Sequence, residues 1–136
     1  MASIHKEATI RVPAHALWDA VRDVGALHTR LVTGFVTDCK LDGSDARMVT
    51  FGNGMTVREL IVDVDDARRR IAWTAVGGRL SHHNASLQVF EAGAGECRAV
   101  WIADLLPNEM APAIAGMIEQ GLAAMKRTQE SQLPSG

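Results

Sequence analysis

Cysteine is nearly absent from this chain, and so is any excess of charge. Two cysteines in 136 residues, Cys39 and Cys97, are too few and too far apart to define a disulfide framework or a metal site. They read as small buried thiols of a reducing compartment. The formal net charge is −2 and the pI about 6.2, which leaves no electrostatic footprint for nucleic acid or an anionic membrane. The one basic cluster, Arg68-Arg69-Arg70, is offset by Asp63, Asp65 and Asp66 and reads as a solvated strand end. No run approaches about 18 consecutive apolar residues, so no spanning helix is expected. Met1 to Glu7 holds no apolar run either, so no signal peptide is expected. These absences predict a cytoplasmic protein with no nucleic-acid partner and no integral membrane association. Its oligomeric state is left open, a homodimer included.

Catalytic signatures are also missing. Gly93-Ala94-Gly95 lacks the strand-to-helix context of a phosphate loop and reads as a hairpin turn. There is no Gly-x-Ser-x-Gly elbow to support Ser81 or Ser86 as a nucleophile. His82-His83 resembles a metal pair, but adjacent residues of a strand face opposite sides and cannot share one ion. With no His-x-x-x-His, Cys-x-x-Cys or carboxylate cluster, neither a metal nor another cofactor is expected.

What is present is strongly patterned. Ser3 to Val12 alternates apolar and polar residues and reads as a strand, which Pro13 ends. Ala14 to Val24 places Leu17, Ala20, Val21 and Val24 on one side of a helix; Gly25 stops it, and Ala26 to Arg30 suits one further turn. Six short segments follow, joined by turn residues: Phe35–Leu41, Arg47–Phe51, Thr56–Val64, Arg70–Val76, Ser81–Glu91 and Cys97–Leu106. Asp42-Gly43 and Asn53-Gly54 are strong hairpin signals, so the segments predict an antiparallel meander.

The last third carries the most information. Met110, Ile114, Met117, Ile118, Leu122 and Met125 recur at steps of three and four, so they share one face of a long helix. Asn108 suits its N-cap, Glu109 the positive end of its dipole, and Pro112 its first turn. A methionine stripe is usually core, since Met fills irregular gaps. Gly116 and Gly121, each costing roughly 1 kcal/mol against alanine inside a helix, call for a packing or cavity reason. One domain over residues 1–128 is expected, with 129–136 as a frayed tail.

The order strand, two short helices, six strands, long helix is the helix-grip layout. The carriers are Val12-Pro13-Ala14 with Leu17-Trp18-Asp19, Arg58-Glu59-Leu60 before Asp65-Asp66, Val76-Gly77-Gly78, and Trp101 to Pro107. In these the chain resembles the START/Bet v 1-like (SRPBCC) superfamily, in particular its polyketide cyclase/dehydrase and lipid-transport proteins. The resemblance covers Ile4 to Lys126. It implies an α+β fold in which a curved seven-stranded antiparallel sheet wraps a long C-terminal helix, with a cavity between them. Because this scaffold hosts carriers, receptors and cyclases alike, it does not name what fills the cavity.

Strand parity selects the residues that face the cavity. In Ser81 to Phe90 the set Ser81, His83, Ala85, Leu87 and Val89 is the more apolar and should point inward. Parity along Val57 to Asp63 is undecided, while the resemblance puts Glu59 toward the cavity, with Trp73 and Ala75 lining it from the next strand. Asp104 joins them if Val100, Ile102 and Asp104 point inward; a bulge would reverse this. The helix supplies Ile114, Met117, Ile118, Gly121, Leu122 and Met125. Glu59 and His83 admit two readings: an acid–base pair tuned toward neutrality by burial, or a structural Glu59–arginine pair beside a histidine that hydrogen-bonds ligand or water. The first suits a cyclase or dehydratase; the second suits a binder of a lipid, polyketide or aromatic metabolite, and is preferred.

Overall fold

The computed structural model describes residues 1–132. Seven strands form one antiparallel sheet: β1 Ala2–Ile10, β2 Val36–Leu41, β3 Ala46–Phe51, β4 Thr56–Asp65, β5 Arg70–Val76, β6 His82–Gly93 and β7 Glu96–Leu106. Their order is β1-β7-β6-β5-β4-β3-β2, so β2 to β7 is a meander and β1 closes against its last strand. Between β1 and β2 lie helix α1 (Ala14–Val21) and a π-helical turn, Leu27–Leu31. After β7 a short 3₁₀ turn, Asn108–Met110, leads into helix α2, Ala111–Glu130. This is the expected helix-grip architecture, with strand limits within two residues of the sequence reading.

Local chemistry explains the ends of these elements. Pro13 stands immediately before α1 in extended geometry, where its fixed φ suits the start of a helix and its missing N–H leaves no donor unpaired. Gly54, at φ 90°, takes the left-handed position in the β3–β4 turn that side chains resist. Asn108 begins the 3₁₀ turn instead of capping α2, and the start of α2 has no side-chain cap. Pro112, second in α2, sits where the helix needs no donor.

α2 is fastened along β1. Lys6 Nζ lies 2.9 Å from Glu119, Lys126 Nζ donates to the Thr9 carbonyl at 3.2 Å, and the Arg11 amide donates to Glu130 at 2.9 Å. The expected frayed tail from residue 129 is therefore corrected: Gln129 is 4 % exposed and its Nε2 donates to the Arg30 carbonyl at 2.6 Å. The helix runs on to Glu130 because those last side chains find partners on β1 and near the π-helical turn. The rest of the predicted tail, residues 133–136, lies outside the described residues. At the other side, Trp18 of α1 and Arg22 just after it both donate to Asp66 in the β4–β5 turn, so Asp66 clamps the first helix to the sheet. Among the described residues, no helix is long and apolar enough to cross a membrane.

Candidate functional site

A cavity of about 660 Å³ lies between the concave face of the sheet and α2. Its wall is built by strand alternation. Every second residue of β3 to β7 points inward: Arg47, Val49 and Phe51; Val57 and Glu59; Ile71, Trp73 and Ala75; His83 and Leu87; and Trp101. Leu27, Leu31 and Phe35 close one side, and Ile114, Met117, Ile118 and Met125 close the top. Exposed Met55, Gly77, Gly78 and Arg79 also border it and so mark its mouth.

The sheet registers bring the polar groups of this wall into one row. Arg47 is opposite Glu59, and Glu59 is opposite Ala75. The β5–β6 ladder then stops at Trp73 opposite Ala85, and two residues farther on the His83 ring replaces a backbone acceptor: the Ala75 amide donates to His83 Nδ1 at 3.0 Å. Thr74 Oγ1 donates to the His83 carbonyl and holds the backbone in place.

Glu59 and Arg47 form a buried ion pair. Arg47 is 3 % exposed and Glu59 8 %. Arg47 Nε donates to Glu59 Oε1 at 2.9 Å and Nη1 to the Val24 carbonyl at 3.2 Å, with the guanidinium 5.9 Å from the Trp73 ring centroid. Buried charges persist only when paired and hydrogen-bonded, and this pair meets both conditions. Among the described residues, the structural pairing with an arginine of an adjacent strand is therefore present, and Glu59 and His83 share no hydrogen bond. With β5 between their strands, their backbones stand roughly 10 Å apart.

His83 is half-buried, and burial lowers its pKa, with His82 adding to the effect. Accepting from Ala75 requires a bare lone pair on Nδ1, so the neutral ring carries its proton on Nε2. Nε2 has no hydrogen-bond partner among the described residues and is not fully buried, and His83 is one of the residues that line the cavity. Cys39 and Cys97 are both buried and unpaired; burial pushes the Cys97 thiol up to about 11, which makes it a poor nucleophile.

The structure places the sequence candidates in two groups. Glu59, Trp73, Ala75, His83, Leu87, Ile114, Met117, Ile118 and Met125 line the cavity. Ala85, Gly121 and Leu122 do not; all three are buried in the packed core around it. A Cβ on Gly121 would lie 2.7 Å from Trp101 Cζ3, so that glycine makes room for an indole, not for a ligand. Asp104 is corrected outright. Cys97, Ala99, Ala103 and Leu105 are buried while Asp104 lies in a shallow groove on the convex face with His5, Glu7, Arg70 and Arg98. Large Val100 and Ile102 share that outer face; the usable signal was that the alternate set from Cys97 to Leu105 contains no charge.

Arg47 was missed, as were Phe35, Phe51 and Trp101. The turn pair alone does not give its partner: a two-residue turn at Asn53-Gly54 would set position 47 opposite Leu60, whereas the three-residue turn Gly52–Gly54 sets it opposite Glu59.

A family model described as polyketide cyclase / dehydrase and lipid transport matches residues 1–130. Among curated proteins, none matches the chain. Solved structures with the same fold include a START superfamily protein from Mycobacterium smegmatis (13 % identity, TM-score 0.77, covering 96 % of this chain and 99 % of that one). Another is truncated norcoclaurine synthase from Thalictrum flavum (20 % identity, TM-score 0.74, covering 99 % and 95 %). A third is the di-domain ARO/CYC protein BexL of the BE-7585A biosynthetic pathway (14 % identity, TM-score 0.82, covering 96 % and 47 %).

Proposed function

We propose that this chain, which belongs to the polyketide cyclase/dehydrase and lipid-transport family, binds a small apolar molecule in the cavity between its sheet and α2. The observation that carries the reading is the cavity itself. Its volume, about 660 Å³, falls within the range of small-molecule sites. Its make-up, hydrocarbon and aromatic walls with a few converging polar groups, is what such sites have. Trp73 and Trp101 meet edge to face with centroids 5.7 Å apart, and Phe35 and Phe51 at 5.4 Å. These pairs give stiff walls for a planar ligand, while the methionines of α2 adapt to its outline.

The cyclase or dehydratase alternative has less support. Its acid–base pair would need a free carboxylate and a basic imidazole nitrogen, whereas Glu59 is engaged by Arg47 and His83 Nδ1 by a backbone amide.

Filling the cavity tests the proposal. Leu122 packs in the core, so the informative positions are Ala75 and Met117. The wild type should take up Nile red in a one-to-one complex, and the Ala75→Trp/Met117→Trp protein should keep its circular dichroism and lose that uptake. Undiminished uptake by the filled variant would place dye binding elsewhere and sink the reading.

A further inference from the structure

We infer that His83 is a fixed hydrogen-bond donor that selects ligands bearing an acceptor oxygen, carbonyl compounds above all. The inference rests on the binding role proposed above and deepens it by naming the ligand's chemistry. Two independent features lock the ring. The Ala75 amide occupies Nδ1 at 3.0 Å, and the Thr74 hydroxyl holds the His83 carbonyl. Together they take the place of the ladder that stops at Trp73 opposite Ala85, so the ring cannot turn without giving up a backbone partner.

A neutral imidazole held in this way offers the cavity one polar atom, the Nε2–H, and that atom can only donate. Protonation would place a second N–H against the Ala75 amide and is disfavoured by the same burial that lowers the pKa. Elsewhere in the row, the Arg47–Glu59 pair compensates its own charge, and Arg79 borders the cavity from its exposed mouth. A ligand oxygen with a lone pair, set in an apolar body, satisfies Nε2–H. A hydrocarbon of the same shape leaves a desolvated donor unpaired, and a site built around a polar contact rejects such an analogue more strongly than apolar packing alone can.

The test uses two matched probes, methyl 2-naphthyl ketone and its isopropenyl counterpart, in which C=CH₂ replaces C=O. Calorimetric titration of the wild type should favour the ketone about tenfold. His83→Asn retains an acceptor where Nδ1 sits and deletes Nε2; its preference should fall to about one while the alkene still binds. In ¹⁵N-resolved spectra of the wild type, His83 should show the Nε2–H tautomer, and only the ketone should shift Nε2. Equal binding of both probes by the wild type, or an Nδ1–H tautomer, overturns the inference while leaving the cavity intact. If neither probe binds and Nile red is also excluded, the binding role fails and takes this inference with it.

Discussion

Two glycines in one helix should respond oppositely to alanine. At Gly116 an added Cβ meets nothing within 4 Å, so Gly116→Ala should simply gain helix propensity, about 0.5–1 kcal/mol. At Gly121 the same carbon would stand 2.7 Å from Trp101 Cζ3, 3.0 Å from Cη2 and 3.3 Å from Phe35 Cε2. Both rings are braced, Trp101 by Trp73 and Phe35 by Phe51, so neither can retreat freely. Overpacking of this kind costs about 1–3 kcal/mol. The propensity gain is common to both variants, so the difference between them isolates the clash at about 1–3 kcal/mol, with Gly121→Ala the less stable. Urea titration followed by tryptophan fluorescence measures this directly, provided the slope is shared. Trp101 also lines the cavity, so its displacement should weaken Nile red uptake in Gly121→Ala alone. Equal midpoints for the two variants would mean that Trp101 yields without cost, and the account of Gly121 would be wrong.

Two further substitutions probe the ionic contacts. Glu59→Gln leaves Arg47 charged and buried, and should cost about 3–5 kcal/mol in the same titration, whereas Arg47→Met/Glu59→Leu should recover most of the loss; a cost below about 1 kcal/mol would show that the pair is hydrated from the cavity. Glu130, with its side chain 14 % exposed, is held at about 2 by the Lys126 ammonium, the Arg11 amide and the Arg11 guanidinium. A carboxyl held below its ordinary value of 4.5 stabilises the fold fully above that pH and loses this contribution as pH falls toward about 2. Glu130→Gln should remove it at neutral pH, on the order of 1 kcal/mol after solvent screening, and flatten the acid limb of the pH–stability curve. An unchanged acid limb would show that α2 does not depend on this anchor.

How much was legible from the chain follows from what each pattern encodes. Alternation, turn pairs and three–four spacing are local, and they gave every element of the fold to within a few residues. They also gave the inward set His83, Ala85, Leu87, because one face of β6 is plainly more apolar. Local pattern failed at Asp104, where Val100 and Ile102 lent the outer face an apolar look, and at Leu122 and Gly121, which share a helical stripe with true lining residues. A stripe shows which face is covered, not whether a side chain or a void lies beneath it.

The amino-acid order by itself determined the meander and the closing helix. Only tertiary structure decided that a space of about 660 Å³ survives beneath α2 and that the His83 ring spends Nδ1 on the Ala75 amide. Both depend on how far apart sheet and helix settle and where one ladder stops. Those distances are set by contacts among residues remote in the chain, which no local periodicity records.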